Sequence, residues 1–521
     1  MSASGSTGMN GAESLVRTLL GSGVNTCFAN PGTSEMHFVA ALDQIPGMRC
    51  VLGLQENIVT GMADGYFRIA GNPACTLLHC GPGLANGLAN LHNARRAGSA
   101  IVNIVGDQAT YHRPFDAPLT ADTDGLARTV SSWVRTSARA ADVGRDAAAA
   151  VHAARIAPGN VTTLILPSDS SWEEGGIVAD CLQVNRYAAL DPHDVDTAAD
   201  MLRRHSDVLI LLGGQAVLET SQRLAWRIAR ATGASVMLDW VNGRVERGLG
   251  RLPFDRVPYS IDVARKALDR YKHIILVNCK APVSFFAYPG KPSTQYAAGA
   301  QVHVLSRATQ NSEEALAALA EALKAPEVEL PQSGPRPEIA NGKPTPEGLA
   351  RTVAAVMPDQ AIISDESVSF GRGFYAQTFN APPHDWLHLT GGAIGDGLPV
   401  ATGAAIAAGG ERRVIGLQAD GSAMYSLQSL WTQARERLPV TTIILSNKKY
   451  NILIGEYEGV GAVPGETAMN MLDLGNPCLD WVKLAQGMGV DAAKVDTMEG
   501  CAALMTQSFT KRDPFLIELL I

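Results

Sequence analysis

The sequence predicts an α/β protein of three units built on mostly parallel sheets. Three observations carry that expectation. Apolar strand-like runs alternate with helical stretches along the chain. The composition suits buried strands of small and β-branched residues, with 51 Gly, 46% hydrophobic residues and only 6% aromatics. The length of 521 residues allows about three cores at roughly 150 residues each.

In the first unit Val24–Ala29 is a strand, Asn30–Thr33 a turn, and a helix is expected from Ser34 as its cap. Asn57–Ala70 has a helical pattern. Ala74–His79, Ile101–Gly106 and Val161–Pro167 are further strands, closing the unit near residue 180. The second unit opens near Pro192, with strands at Asp207–Gly214, Ala234–Asp239, His273–Val277 and Gln301–Leu305. Lys324–Pro346 then carries six prolines, as a semi-rigid linker would. The third unit has strands at Gln360–Ser364, Val414–Ala419, Thr441–Ser446 and Phe515–Leu520. Its helices are expected within Gly391–Gly410 and over Ser422–Arg437, the latter stopped by Pro439. The domains expected are 1–180, 190–325 and 347–521, with 326–346 as linker.

Several classes are excluded by composition. A net charge of −8 argues against a nucleic-acid partner, which would require a basic face. No run of eighteen apolar residues is present, so no membrane span is expected. Met1–Asn10 is Ser/Gly-rich and lacks the basic and apolar regions of a signal peptide. The eight cysteines form no C-x-x-C pair, which predicts reduced thiols and a cytoplasmic protein rather than a disulfide or zinc framework.

The most informative stretch is Ala419-Asp420-Gly421-Ser422. A strand delivers Asp420 at its C-terminal end, where open α/β sheets bind ligands. Gly421 permits close backbone approach, and Ser422 offers a hydroxyl and free N–H groups to phosphate. Asn447 ends the next strand 27 residues on, the length of one helix plus one strand, so both side chains converge at one sheet edge. A carboxylate, an amide oxygen, a backbone carbonyl and diphosphate oxygens make a hard, six-oxygen site suited to Mg²⁺. Taken alone, the pattern also fits a surface turn.

With other motifs, the chain resembles the thiamine diphosphate (ThDP) enzymes of the pyruvate decarboxylase and acetolactate synthase superfamily. Their signature is G-D-G followed one crossover later by N-N; here Ala419 and Ser446 replace the first Gly and first Asn. Leu54-Gln55-Glu56-Asn57 before A-D-G-Y-F-R, the turn Asn30-Pro31-Gly32-Thr33-Ser34-Glu35, and Gly81-Pro82-Gly83 with Asn86 match in order. So do Gly106-Asp107-Gln108 and Gly391-Gly392-Ala393-Ile394-Gly395 before Leu398-Pro399.

The resemblance implies three doubly wound domains: pyrimidine-binding, central Rossmann-like and diphosphate-binding. It implies that Glu56 hydrogen-bonds N1′ of the aminopyrimidine, and that Ile394 wedges the two cofactor rings into a V. A carbonyl near Gly392 would orient the amino group. Asp420, Asn447 and Lys449 would hold Mg²⁺, while Ser367, Ser369, Gly421 and Ser422 would line the diphosphate. Ser367 and Ser369 are equally ordinary turn residues. The active site would be completed in a homodimer or homotetramer.

His79 follows Glu56 by 23 residues, as does an acid–base histidine in benzoylformate decarboxylase-like members. A structural strand-end histidine is the alternative. Thr33 matches a residue that touches the substrate carboxylate. The subgroup's second histidine is replaced by Phe285-Phe286, which makes that side of the pocket apolar. The reaction implied is decarboxylation of, or carboligation from, a 2-oxo acid. Acetolactate synthase-type condensation and a non-catalytic homologue remain as alternatives. Leu211–Gly214 lacks a convincing G-x-G-x-x-G, so FAD is not expected. Lys448 and Lys449 either attract anions or belong to a solvated loop, and Tyr450–Gly465 has the character of a lid.

Overall fold

The computed structural model describes residues 8–521, so most of the N-terminal Ser/Gly-rich stretch lies outside the described residues. The first sheet contains β1 (Thr26–Ala29), β2 (Arg49–Leu52), β3 (Ala74–His79), β4 (Ile101–Asp107), β5 (Trp133–Thr136) and β6 (Val161–Pro167). All are parallel, in the order β2-β1-β3-β4-β6-β5. Further along are β7 (Val208–Leu212), β8 (Ser235–Leu238), β9 (Val245–Arg247), β10 (His273–Val277) and β11 (Gln301–Ser306). Of these, four form a parallel sheet ordered β11-β10-β7-β8. The third sheet takes β9 with β12 (Ala361–Glu366), β13 (His384–His388), β14 (Val414–Ala419), β15 (Val440–Ser446), β16 (Asp491–Val495) and β17 (Phe515–Leu520). Its order is β16-β17-β15-β14-β12-β13-β9, parallel except for the antiparallel edge strand β9. The α/β class with three mostly parallel sheets is therefore as the sequence predicts.

Strands with apolar runs are those covered on both faces, such as β4, β6 and β15, which are buried along their lengths. Those the sequence reading missed lack such runs. β2 and β5 are partly exposed, short edge strands of the first sheet. β13 (HDWLH) is buried although polar, because Asp385 is held by Arg244 at 2.9 Å and Arg412 at 2.6 Å.

Three helix boundaries differ from expectation. Ser34 does not cap a helix: its hydroxyl turns to Glu35 and His79, and a 3-10 turn, Thr33–Glu35, precedes the helix Met36–Gln44. Gly392 (φ 79°) and Gly395 (φ 94°) hold the chain in the left-handed region, so the helix of that segment spans only Gly397–Ala407. Ser422–Arg437 breaks into Asp420–Ala423 and Ser429–Arg435, because three-residue bonds such as Ser429 N to Ser426 O tighten the chain between them.

The chain forms two compact units. One comprises the chain up to Arg186 with Thr390–Gly409 and Ser426–Thr432; the other comprises Tyr187–Leu389, Gly410–Tyr425 and Gln433–Ile521. In the first, helices Glu56–Ala70 and Gly397–Ala407 pack backbone to backbone. A Cβ on Gly65 would stand 2.1 Å from the Val400 carbonyl oxygen, and one on Gly403 would stand 1.9 Å from that of Met62. The small residues of that helix are thus a packing requirement. Among the described residues no helix is long and apolar enough to cross a membrane.

One consequence concerns acid stability. Burial pushes the His384 imidazole down to about 3, with Nδ1 facing the Pro382 carbonyl at 2.7 Å. In the unfolded chain a histidine protonates near ~6.5. Between those values the unfolded state binds the extra proton, so this contribution is complete above the unfolded value and declines as pH falls. The slope is about 1.4 kcal/mol per pH unit. Asp239, which burial pushes up to about 6, acts in the opposite sense, losing stability as pH rises towards that value. His384→Gln should therefore flatten the fall in stability between about pH 6 and pH 5 by roughly 1 kcal/mol, read from urea midpoints. Equal slopes in the two proteins would refute this assignment.

Candidate active site

The candidate residues follow strands that flank a reversal of sheet order. In the first sheet the chain passes from β1 out to β2 and returns to β3 on the other side. In the third, β13 lies on one side of β12 and β14 on the other. Loops leaving the C-terminal ends of such strand pairs diverge and open a crevice. Thr33–Glu35 follow β1 and His79 closes β3. Ser367 and Ser369 follow β12, Asp420–Ser422 follow β14, and Asn447 follows β15.

In the first unit Glu56 begins its helix and is buried, with Gln55 capping through Oε1, which accepts from the Asn57 N–H at 2.6 Å. Asn86 Nδ2 donates to Glu56 Oε2 at 3.1 Å. A single glycine separates Glu56 from His79: a Cβ on Gly83 would lie 3.1 Å from Glu56 Oε1 and 3.3 Å from His79 Cβ. That glycine keeps space open beside the carboxylate.

His79 sits in a polar cluster. Its Nδ1 lies 3.1 and 3.2 Å from the two oxygens of Glu35 and 3.1 Å from Ser34 Oγ. A carboxylate only accepts, so the contact with Glu35 calls for a proton on Nδ1. Glu35 is itself buried and accepts from the Gly32 N–H at 2.7 Å and from Ser34. A Cβ on Gly32 would fall 2.2 Å from the imidazole, so the N-P-G-T turn lies against the ring. Thr33 is exposed on that turn. Cys80 follows His79 in a left-handed conformation (φ 51°), with Sγ 3.3 Å from Ser34 Oγ. Burial pushes its thiol up to about 11, against the Ser34 contact, which lowers it.

The Gly391–Gly395 segment is held in the same unit by the helix Cys80–Ala97. Asn93 donates to the Ala393 carbonyl at 2.8 Å and accepts from its N–H at 3.2 Å, and Asn90 donates to the Gly395 carbonyl at 3.2 Å. Ile394 is half-buried beside left-handed Gly392.

In the second unit Asp420 is 2% exposed, and burial raises its carboxyl above the ordinary range against backbone hydrogen bonds that lower it. It accepts from Gly421 N–H at 2.8 Å and from Lys448 N–H at 2.7 Å, across the exit of β15. Among the described residues it forms no ion pair with a cationic side chain. Asn447 Oδ1 accepts the Lys449 N–H at 3.0 Å. Lys449 bridges Asp473 through bonds made by its neighbours, Tyr450 N to Leu472 O (2.9 Å) and Leu474 N to Lys448 O (2.8 Å). In that pattern both polar backbone groups of Lys449 point away from the partner segment, so its carbonyl shares an edge with the Asn447 side chain. A buried carboxylate without a cationic partner, bonded to the Lys448 N–H between an amide-bearing residue and a carbonyl on the same strand exit, fits a hard cation such as Mg²⁺.

Other expected contacts have local partners. The space a Cβ would take at Gly421 holds the Tyr450 ring, 2.5 Å from that position. Ser422 Oγ accepts from Gln418 Nε2 at 2.9 Å, and Gln418 also donates to Glu366 at 2.9 Å. Ser367 donates to Asp365, and Ser369 opens the 3-10 turn Phe370–Gly373. The side chains of Lys448 and Lys449 are exposed. Roles for Glu35, Gln418 and Cys80 were not foreseen in the sequence; the adjacency of Cys80 to His79, and the G-x-x-E spacing that lets Glu35 cap Gly32, were the available signals.

Comparison with known proteins shows the family of the chain. Residues 9–127 match the thiamine pyrophosphate enzyme N-terminal TPP binding domain, and residues 372–519 the C-terminal TPP binding domain. The chain is 48% identical over 516 residues to the "Putative acetolactate synthase large subunit IlvX" of Mycobacterium tuberculosis, covering 98% of this chain and 99% of that protein. It is 29% identical to benzoylformate decarboxylase of Pseudomonas aeruginosa, over 95% of this chain and 96% of that protein. The solved Rhodococcus jostii RHA1 thiamine diphosphate-dependent 4-hydroxybenzoylformate decarboxylase superimposes with a TM-score of 0.85 at 27% identity, covering 98% of each chain.

Proposed function

The chain belongs to the thiamine pyrophosphate enzyme family, and from that premise we propose that it is a non-oxidative decarboxylase or carboligase of 2-oxo acids, of the benzoylformate decarboxylase type. The observation that carries the proposal is the pairing of His79 with Glu35, one glycine away from Glu56. When bound, ThDP supplies a carbon nucleophile and an electron sink for the bond being broken.

The chain's residues supply position and proton movement. Glu56, steadied by Asn86, would accept a hydrogen bond from the aminopyrimidine. Asp420, Asn447 and the Lys449 carbonyl would hold Mg²⁺, with Ser367, Ser369, Gly421 and Ser422 around the diphosphate and Gly392 and Ile394 against the rings. Glu35 fixes the His79 tautomer, so that Nε2 can take a proton from, or return one to, the reacting substrate. Thr33 would meet the substrate carboxylate. Phe285 and Phe286 pack edge to face with ring centroids 4.7 Å apart and offer an apolar wall. We assign pyrimidine binding to 1–180 and diphosphate binding to 347–521, in a homodimer or homotetramer. Eight free thiols support a cytoplasmic location.

A second reading, acetolactate synthase-type condensation, is favoured by the name of the 48%-identical relative. A panel of 2-oxo acids, scored for CO₂, aldehyde, acyloin and acetolactate, separates the two. Aldehyde or acyloin is the expected product. Acetolactate as the main product from pyruvate would replace the first reading with the second, and no turnover on any acid would sink both.

A further inference from the structure

The cluster around His79 has the composition of a transition-metal site. Glu35, His79 and Cys80 each offer one ligand atom, and these atoms lie within 4.8 Å of one another. Nδ1 of His79 is 3.1 Å from Glu35 Oε1 and 3.8 Å from Cys80 Sγ. Tetrahedral zinc with bonds of about 2.0 Å to nitrogen or oxygen and about 2.3 Å to sulfur spaces its ligands roughly 3.3 to 3.5 Å apart. The observed spacings bracket those values. Ser34 Oγ, in contact with all three groups, is placed to be a fourth ligand or to yield its position to the cation.

The backbone favours the same arrangement. Cys80 adopts φ 51°, a left-handed conformation that an L-residue holds only where its surroundings constrain it. Its Sγ lies 3.3 Å from Ser34 Oγ and 3.8 Å from His79 Nδ1. An imidazole, a thiol and a carboxylate select a borderline-soft cation such as Zn²⁺ over Mg²⁺, so this donor set is chemically distinct from the oxygen set at Asp420.

We propose that Glu35, His79 and Cys80 form a transition-metal site of the zinc type, whose occupation reversibly inhibits the enzyme. Binding displaces the thiol proton to solvent and makes Nδ1 of His79 a metal ligand. Nε2 must then carry the imidazole proton, so the lone pair needed to accept one is lost. The site stands on its own geometry; only the inhibition rests on the function proposed for His79.

Titration of the full-length protein with Co²⁺, followed by competition with Zn²⁺, tests the site without any turnover assay. One equivalent is expected to bind with a thiolate-to-cobalt charge-transfer band. Cys80→Ser should abolish the band and weaken Zn²⁺ binding by at least roughly 10- to 100-fold. Cys181 and Cys478 are exposed and would give a band insensitive to that substitution, which would overturn the proposal. Binding without a thiolate band, as at the cluster of His205, Asp207 and His273, would overturn it equally. If Cys80→Ser does not fold, His79→Gln carries the same comparison. Zn²⁺ should slow turnover of the wild-type enzyme, with recovery on adding a chelator. A titrating site in a protein that turns over no 2-oxo acid would leave the site standing and the functional reading refuted.

Discussion

Replacing Glu56 by glutamine is expected to leave ThDP binding nearly intact and to lower turnover by roughly 10²- to 10⁴-fold, the range for loss of acid–base assistance. The structural reason lies in the surroundings of the carboxylate. The substituted amide keeps an oxygen able to accept from Asn86 Nδ2, which lies 3.1 Å from Glu56 Oε2 in the wild-type chain, and it fills the same buried volume at the start of the helix. The fold and the space beside Gly83 should therefore survive. The charge, however, is gone, and with it the strong acceptor proposed to meet the aminopyrimidine. Binding and turnover separate the effects: a thermal shift by ThDP with Mg²⁺ should persist while product formation collapses. Undiminished turnover would show that a different carboxylate does this work.

Asp420→Ala is expected to do the reverse, abolishing cofactor-induced stabilisation and, through it, activity. In the wild-type protein a ligand at 100 times its Kd stabilises by about 2.7 kcal/mol, which raises Tm by roughly 2 to 4 °C per kcal/mol for a domain of about 150 to 250 residues. The variant should show no such shift at the same ThDP and Mg²⁺ concentrations. It removes the only carboxylate of the oxygen set and leaves the Gly421 and Lys448 N–H groups, both bound to it in the wild-type chain, without their acceptor. Some loss of intrinsic stability, about 1 to 3 kcal/mol, should accompany this. Asp420→Asn keeps one acceptor oxygen and the side-chain volume, and serves as control. If it binds ThDP with Mg²⁺ as tightly as wild type, the carboxylate charge is not what holds the cation.

Much of this candidate site is legible in the sequence. The β14–helix–β15 crossover places Asp420 and Asn447 one unit apart in sequence and on neighbouring strands in space, and the Ala419–Leu445 pairing delivers them to one edge. Glu56, at the head of an amphipathic helix with Gln55 before it, was marked by its motif. Strands β3, β4, β6, β14 and β15 announced themselves because burial on both faces demands unbroken apolar runs. Where burial is partial or compensated by charge, that signal fails. Asp385 in β13 depends on arginines 141 and 27 residues away, which no local pattern reveals.

What the sequence by itself determined was the alternation of strands and helices, the class of fold and the identity of the chemical groups at strand ends. Local periodicity and turn chemistry are properties of adjacent residues, and they can be read from adjacent residues. The tertiary structure alone decided which strand ends become neighbours. The reversal of order between β1 and β3 brings Glu35 to His79 across 44 residues and leaves Gly83 as the spacer between His79 and Glu56. It also turned Ser34 from a helix cap into a partner of three side chains, because a hydroxyl bonds to whatever packing puts in reach. Sheet order is set by burial of whole faces, a property of the assembled chain.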